Sequence, residues 1–334
     1  MTNNDSSGTG PEEPRGPEDV GPTGDEGWSA AEERLAELVR SQDFDTSGPI
    51  RIDIGNSLGP VTVELADTEA TYVEVRHDPA ASGPDWRSGL TGLLNWVSEQ
   101  FDTGIRSGGD VRGPQEPIAE AVRRTRVDLT GNRLAIRTPA TSPLRNVPLS
   151  VKVRAPLDSE VAVNTSSGEV RVSGPARRVG VQAGSGTVSI EQASDRATVR
   201  SGSGQLRLGT MTGGVHARSG SGDIEISSLE APSSVATGSG NVWLGAVSAD
   251  VLVRSGSGDL TIADATEGQV ELITGSGELQ VSIHRGTAAE VDLTSSTGSA
   301  SSDLVVSDQP PEEEPKLRVF GRTGTGDAVL TTAT

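Results

Sequence analysis

A column of acidic side chains, one from each of several repeated corners, is the first candidate for chemistry in this sequence. Carboxylates stacked at one position of successive turns could coordinate calcium, because Ca²⁺ is bound by several oxygen ligands. Other repeats carry Thr187, Gln205 and Asn241 at this position, and the spacing differs from the nonapeptide calcium repeat. The pattern therefore favours a solvated polar ladder over a metal site. The acidic members are Glu169, Asp223, Asp259, Glu278 and Asp327.

A serine between two glycines is the second candidate. Residues 55–59, GNSLG, have the G-x-S-x-G spacing of a nucleophile elbow, in which a strand precedes the serine and a helix follows it. Here Pro60 and the segment VTVEL begin another strand, so we predict a β-turn bounded by Gly55 and Gly59 instead of a nucleophile. His77 could in principle lie near this serine.

Basic and imidazole side chains also recur in the repeat. Arg200, Arg218 and Arg254 occupy one position of three turns and could bind an anionic partner, but the sequence favours pairing with neighbouring acids. His216 and His284 fall in different turns, without an evident nucleophile or metal partner. The glycine corners lack the spacing of a dinucleotide or phosphate-binding loop. We therefore predict no enzyme, no cofactor and no metal site.

The composition narrows the class of partner. The formal net charge is −19 and the basic residues form no continuous patch in the sequence, so nucleic acid is not expected as a partner. The absence of cysteine excludes disulfides, thiol nucleophiles and cysteine-bound metal centres. The first residues lack the features of a secretory signal, and no stretch has the apolar length of a membrane helix. We expect a cytoplasmic protein without a membrane span, which a partner could hold at a membrane.

An internal repeat predicts the overall architecture. The last glycine of each small-residue corner falls at positions 168, 186, 204, 222, 240 and 258, so that each lies 18 residues after the one before. The period then loosens to Gly277 and Gly298, and one more corner, ending at Gly326, follows the acidic insertion DQPPEEEP. Such regular self-similarity with atypical end repeats is typical of a solenoid.

Each repeat is predicted to form two short strands around one layer of aliphatic side chains. An apolar pair spaced by two, such as Val188 and Ile190, follows each corner, and a second pair, such as Ala197 and Val199, comes later in the turn. A further apolar column, which includes Met211, should point inward at the opposite bend. The predicted fold class is an all-β, single-chain parallel β-solenoid with about 18 residues per turn, plus short N-terminal and inserted amphipathic helices.

The rest of the chain is predicted to hold a tail and helices. Residues 1–27 are rich in Gly, Pro, Ser, Asp and Glu and should form a disordered acidic tail. Residues 28–48 should form a short helix and a linker. Residues 49–334 should form the β-solenoid domain, interrupted by a helical insertion at about 80–125, with strands resuming near Arg126.

One helix of this insertion is the candidate partner-binding element. Residues 85–101 carry large apolar side chains at helical spacing. The helix could cap an end of the solenoid, contact another protein or lie on a membrane. Capping is favoured, because an open solenoid end exposes strand edges, and the flanks lack the cations of a membrane-surface helix. The candidate partner-binding residues are Leu90, Leu93, Leu94, Trp96, Val97 and Phe101.

The segment RNVPLSVKVRAPLDSEVAVNTSSGEVRVSG resembles the bacterial putative-adhesin family of unknown function, also described as the Toastrack domain. The turns GSGDIEI and GSGDLTI strengthen the match. The resemblance covers roughly residues 49 to 334 outside the helical insertion, and no catalytic residue can be carried over from the family. It implies a protein-interaction or sensing role beside membrane proteins of envelope-stress signalling.

Three hypotheses for function remain. The leading one is a non-enzymatic β-solenoid scaffold or protein-interaction module, whose partner is another protein that could itself be membrane-embedded. The first alternative is a carbohydrate-active β-helix enzyme, which would need aromatic platforms and clustered carboxylates, whereas the repeat offers only Trp243. The second alternative is an exported adhesin, which would need an export route.

Overall fold

The computed structural model describes residues 38–78, 116–304 and 314–333. Nearly all regular structure in these ranges is β, with one α-helix, α1 (Glu116–Arg124), and one turn of 3-10 helix (Leu144–Asn146). The strands before the regular repeat are β1 (Val39–Asp45), β2 (Arg51–Leu58), β3 (Val61–Ala66), β4 (Ala70–His77), β5 (Arg126–Thr130), β6 (Arg133–Arg137) and β7 (Leu149–Pro156). None of the described helices is long and apolar enough to cross a membrane.

The strands of the repeat come in pairs, one pair for each turn. They are β8 (Glu160–Ser167), β9 (Val170–Ala176), β10 (Arg178–Ser185), β11 (Val188–Ala193), β12 (Ala197–Ser203), β13 (Leu206–Met211), β14 (Val215–Ser219), β15 (Ile224–Leu229), β16 (Ser233–Thr237), β17 (Val242–Val247), β18 (Val251–Ser257), β19 (Leu260–Ala265), β20 (Gly268–Ser276), β21 (Leu279–Ile283), β22 (Ala289–Ser295), β23 (Ala300–Ser302), β24 (Leu317–Thr325) and β25 (Ala328–Thr332).

The described strands form two long sheets. Sheet A has the order β1-β4-β7-β3-β9-β11-β13-β15-β17-β19-β21-β25-β23, and sheet B has the order β22-β24-β20-β18-β16-β14-β12-β10-β8-β2-β6-β5. Within the repeat, the first strand of each turn lies in sheet B and the second in sheet A. This confirms the predicted all-β solenoid.

Successive turns stack in parallel, in a register that equals the sequence period. Val188 pairs with Leu206, Leu206 with Ile224, and Ile224 with Val242, each 18 residues further on. The register lengthens to 19 residues where Leu260 pairs with Leu279. Because side chains alternate along a strand, this register places the apolar pairs of every turn on the same, inner side of the sheets.

The core is a continuous layer of aliphatic side chains between the sheets. Val188, Ile190, Ala197 and Val199 are all buried, as the apolar pairs predicted. Met211 is fully buried at the opposite bend and pairs with its equivalents in the turns on either side. A narrow slot of this kind accepts branched aliphatic residues in every turn, which accounts for the low aromatic content.

The glycine corners are required by the approach of neighbouring turns. Gly186 has a φ of +110°, which residues other than glycine rarely adopt. A Cβ atom at this position would also clash with the carbonyl oxygen of Gly168. The corner glycines of successive turns thus lie directly on one another, and larger residues there would separate the turns.

A hydroxyl group inside each of several corners ties that corner to the previous turn. Thr274 donates a hydrogen bond to the carbonyl oxygen of Gly258 at 3.0 Å, and Ser255 donates one to that of Gly240 at 3.2 Å. These buried serine and threonine side chains satisfy glycine carbonyls that the corner removes from the strand ladder.

The first described strand corrects the prediction of a helix and linker over residues 28–48. Residues 39–45 form β1, which pairs antiparallel with β4, so that Val39 lies opposite Arg76 and Asp45 opposite Ala70. The solenoid sheets therefore begin before residue 49. Pairing with the otherwise open edge of β4 outweighs the helical spacing of apolar residues at the end of this segment. The predicted tail and the start of the predicted helix lie outside the described residues.

Helix α1 closes the amino-terminal end of the solenoid. It packs against β1, β4 and the 3-10 turn, and it buries Ile118, Ala121 and Val122. The prediction of a short helix in this segment is confirmed, and β5 begins at Arg126 as expected. The other predicted helix, residues 85–101, lies outside the described residues, so its capping role stays a prediction.

The order of turns departs from the order of the sequence at both ends. The turn made of β24 and β25 lies between the turn of β20 and β21 and the turn of β22 and β23. Likewise, the turn of β2 and β3 lies between β6–β7 and β8–β9. At the carboxyl end the reason is hydrophobic: the inward residues of β24 and β25 are buried, whereas β23 consists of exposed alanine and serine.

Candidate functional site

The acidic column is a hydrogen-bonded ladder that runs along one corner. The Asp223 carboxylate accepts a hydrogen bond from the Asn241 backbone N–H at 2.8 Å, the Asn241 side-chain oxygen accepts one from the Asp259 N–H at 2.9 Å, and the Asp259 carboxylate accepts one from the Glu278 N–H at 2.8 Å. Asp327 accepts two hydrogen bonds from Ser299, which lower the pKa of its carboxyl group. The predicted polar ladder is confirmed for the part of the column from Asp223 to Asp259, whereas the Glu169 carboxylate pairs with Arg171.

The carboxylates of this ladder are directed at backbone amides and not at a shared point. In the described part of the chain, no group of three or more His, Asp or Glu side chains could hold a metal ion. Asn241 contributes to the ladder in the same way as its acidic neighbours, which explains why an amide can replace a carboxylate in this column.

The GNSLG segment does not form a nucleophile elbow. Gly55 lies within β2, and the turn falls at Gly59, so the prediction that both glycines bound a turn is wrong for Gly55. Asn56 is buried and donates hydrogen bonds to the carbonyl oxygens of Gly59 and Leu149. Ser57 donates to the carbonyl oxygen of Pro139 at 3.4 Å. The segment therefore has a structural role at the first corner, and β3 follows it in place of a helix.

The arginine column is the feature of the repeat for which the prediction from the sequence was wrong. Arg200 lies opposite Arg218 in register, and Arg254 follows two turns later, with Ala236 between them. Arg322 continues the same line beyond Ile273. These four exposed side chains, named here the arginine row, are Arg200, Arg218, Arg254 and Arg322.

None of the four arginines has the acidic partner that the sequence predicted. No carboxylate of a described residue lies within 4.0 Å of any of their guanidinium groups. By contrast, the exposed Arg178, Arg171 and Arg318 each pair with a nearby carboxylate, at 2.6, 2.7 and 3.4 Å. The predicted pairing fails because the acidic residues closest in sequence occupy other positions of the turn. Their side chains therefore lie in other columns of the solenoid, away from the arginines.

His216 reports the positive potential beside the row. It lies on β14, two residues before Arg218. The pKa of His216 is lowered, first by partial burial and then by the positive charges of Arg218, Arg200 and Arg196. Two like charges in register are unfavourable in a sheet, so Arg200 and Arg218 repel each other, and a bound anion would relieve that repulsion.

Small side chains flank the row and leave its face open. Thr198 and Ser234 lie on either side of His216 in the adjacent column, and Ala236 interrupts the row itself. Towards the amino-terminal end, Gln182 is paired with Arg200, and the face deepens into a groove of about 480 Å³. Arg137 and Gly180 are among the residues that line this groove.

The remaining candidates for chemistry stay apart from this face. His284 pairs with Asp264 at 3.0 Å, a partner one turn earlier that sequence reasoning missed because the two residues are 20 positions apart. Trp243 is exposed on sheet A, beside Glu225 and Thr261. The candidate partner-binding residues of the 85–101 helix lie outside the described residues.

Sequence reasoning also missed Arg322 as a member of the row. The acidic insertion and the changed order of turns place Arg322 far from Arg254 in sequence, and only the strand pairing of β20 with β24 aligns them. For Arg200, Arg218 and Arg254, the 18-residue period was enough to predict that they lie in one column.

Two mostly parallel sheets of short strands joined by glycine corners define this chain as a β-solenoid protein with a basic row on one outer face. The Toastrack DUF4097 family matches residues 146–334, more than half of the chain, and the protein belongs to this family. The resemblance inferred from the sequence is thereby confirmed. Membership supports a binding or scaffold role and brings no catalytic residue with it.

Several solved structures are similar over most of the chain. A putative adhesin from Bacteroides fragilis NCTC 9343 is 12% identical, over 87% of this chain and 96% of that chain, with a TM-score of 0.40. A putative lipid binding protein from Parabacteroides distasonis ATCC 8503 is also 12% identical, over 87% and 96%, with a TM-score of 0.31. A putative adhesin from Parabacteroides merdae ATCC 43184 is 10% identical, over 86% and 95%, with a TM-score of 0.26. No curated protein matches the chain.

Proposed function

We propose that this protein is a non-enzymatic binding scaffold that presents the outer face of sheet B to another protein. The observation that carries the proposal is the arginine row, whose four guanidinium groups make no ion pair with described residues. Such a row is costly in the free protein and becomes favourable when a partner supplies the missing negative charge.

The solenoid is suited to this role because its surface is rigid and repetitive. Each turn is held to the next by ladder hydrogen bonds and stacked glycines, and several turns also by a buried hydroxyl of the corner. The backbone of such a face is held in place before binding, so the entropy lost when a partner docks is mainly that of the arginine side chains.

The finer part of the proposal rests on the expectations drawn from the sequence. We place the protein in envelope-stress signalling, in the cytoplasm, where a membrane-embedded or regulatory protein would be its partner. The predicted helix at residues 85–101 would provide a second contact.

The test is crosslinking in the host organism, with tagged protein at its native level and mass spectrometry of the attached partners. One variant carries R200Q, R218Q and R254Q, and the matched control carries R154Q, R171Q and R207Q, three arginines that pair with acids on the other sheet. We expect one partner to be enriched with the wild type and the control and to be lost with the row variant. Equal recovery with both variants, or no specific partner at all, would contradict the proposal.

A further inference from the structure

The arginine row has the dimensions of a track for one extended chain. Adjacent strands in a sheet are about 4.8 Å apart, so the five steps from Arg200 to Arg322 span about 24 Å along the solenoid. An extended peptide rises about 3.3 Å per residue, so a segment of about seven residues would cover the whole row.

Acidic residues on the same face limit how wide the ligand can be. Glu271 and Asp292 lie in the column beside the row, and Asp250 lies one column further away, where Glu290 is already paired with Arg318. A nucleic acid duplex or an anionic bilayer would cover these carboxylates together with the row, within the screening length of about 8–10 Å, and would be repelled by them. A single extended chain would contact the row directly and would approach Glu271 and Asp292 along one side only.

The small residues of the row favour a polypeptide that lies close to the sheet. Ala236 lies between Arg218 and Arg254, so a peptide backbone can approach the strands there while its side chains reach the guanidinium groups on both sides. Ile273, which is partly exposed between Arg254 and Arg322, offers one apolar contact within the row. Guanidinium groups bind carboxylates through paired hydrogen bonds, which gives such a site geometric specificity.

We infer that the arginine row binds an extended acidic segment of a protein partner, lying along the solenoid axis from Arg200 towards Arg322. This inference rests on the proposed function and names the chemistry of the partner: a stretch of Asp or Glu residues with small or apolar residues between them. Charge complementarity between the row and the segment supplies the attraction, and the binding weakens as salt concentration rises.

The test uses the full-length protein and a nine-residue peptide with Glu at alternate positions and Ser between them, against the same peptide with Gln in place of Glu. At low salt we expect the Glu peptide to bind at least about tenfold more tightly than the Gln peptide. The variant R200Q/R218Q should lose about the same factor, whereas R171Q/R207Q should bind like the wild type. The exposed row substitutions remove like-charge repulsion, so the thermal midpoint should not fall.

His216 provides a reporter at the site itself, since the chain has only three histidines whose NMR signals need to be resolved. A bound carboxylate chain near Arg200 and Arg218 would offset their positive charge, so the pKa of His216 should rise when the Glu peptide binds. The Gln peptide should leave that pKa unchanged.

Three outcomes of the binding experiments, and one of the crosslinking experiment, would overturn the inference. The first is equal affinity for the two peptides, or affinity that the row variant does not change. The second is tighter row-dependent binding to phosphatidylglycerol vesicles or to a single-stranded oligonucleotide, which would assign the row to another class of ligand. The third is a large gain in peptide affinity when the acidic residues of segment 1–27 are neutralised, which would assign the row to the chain's own tail. A partner that crosslinks through the row without an acidic segment would leave the proposed function in place while removing this inference.

Discussion

At the scale of single residues, the corners show that the same small polar side chain is buried with a hydrogen bond in one turn and without one in another. Ser255 is buried and donates its hydroxyl to the carbonyl oxygen of Gly240, whereas Ser201, at the same position three turns earlier, has a buried hydroxyl without a hydrogen-bond partner among described residues. Identical residues at equivalent positions thus differ in what they contribute to stability. The difference follows from the exact path of the previous corner and not from the side chain itself.

The two serines give a matched pair of substitutions. Ser255→Ala should lower the free energy of unfolding by about 1 kcal/mol, because it leaves the carbonyl oxygen of Gly240 without its side-chain donor. Ser201→Ala should be neutral or slightly stabilising, since it removes an unsatisfied buried hydroxyl. Urea denaturation followed by circular dichroism measures both changes. Equal destabilisation by the two substitutions would contradict the assigned hydrogen bond.

At the scale of the turn, the corner glycines decide whether neighbouring strands can stack. Gly204 has a φ of +138°, and a Cβ atom there would clash with the carbonyl oxygen of Gly186 below it. Gly180, in the middle of β10, has nothing within 4 Å of the position where a Cβ atom would be. Glycine therefore allows close packing of the turns at position 204, whereas at position 180 it leaves an open surface.

This contrast predicts opposite effects of one and the same substitution. Gly204→Ala should destabilise the protein by at least about 2 kcal/mol, because it combines backbone strain with a clash between turns. Gly180→Ala should change stability by no more than about 1 kcal/mol, and in the stabilising direction, because it restricts the unfolded chain. Thermal midpoints of the two variants provide the comparison. A Gly204→Ala variant as stable as the wild type would show that the turns are not in close contact at this corner.

At the scale of the whole molecule, the ends of the solenoid differ from its middle. Helix α1 covers the amino-terminal end with buried apolar residues, whereas in the last described turn Val291 and Leu293 are only half-buried. That turn is held through β24 and β25, which lie between it and the regular repeat. Solenoid turns depend on their neighbours for stability, so the order of stacking determines which turns are lost together.

Substitutions in the last two turns test that order. Val319→Asp places a charge in the core of the inner of these turns, so amide hydrogen exchange should accelerate in residues 317–332 and also in residues 289–302. Val291→Asp should accelerate exchange in residues 289–302 alone. Residues 197–203 in the middle of the solenoid should stay protected in both variants. If the turns were stacked in sequence order, the two substitutions would exchange their effects.

The distribution of charge is a further property of the molecule as a whole. The chain carries a formal net charge of −19, yet one line on sheet B carries four arginines without described acidic partners. An acidic molecule with a local basic row discriminates by size, because a narrow anion can contact the row while approaching fewer of the surrounding carboxylates than a wide one does. The proposed acidic segment of a partner protein meets that condition.

The sequence by itself determined the repeating part of this protein. The 18-residue period, the alternation of apolar residues and the corner glycines predicted the parallel turns, the buried column of Met211 and the polar ladder at Asp223 and Asp259. These features were predictable because each turn has the same local environment as the next, so that position within the period is enough to place a side chain.

Only the tertiary structure decided the ends of the solenoid and the electrostatic character of its face. Residues 39–45 became a strand because β4 offered them an edge, and β24–β25 took an inner place because their side chains bury more apolar surface than those of β23. Arg322 joined the row through that rearrangement, and Arg200, Arg218 and Arg254 remained without acids because the nearest carboxylates belong to other columns. Each outcome depends on which distant segments meet in space, and neither the period nor local spacing specifies that.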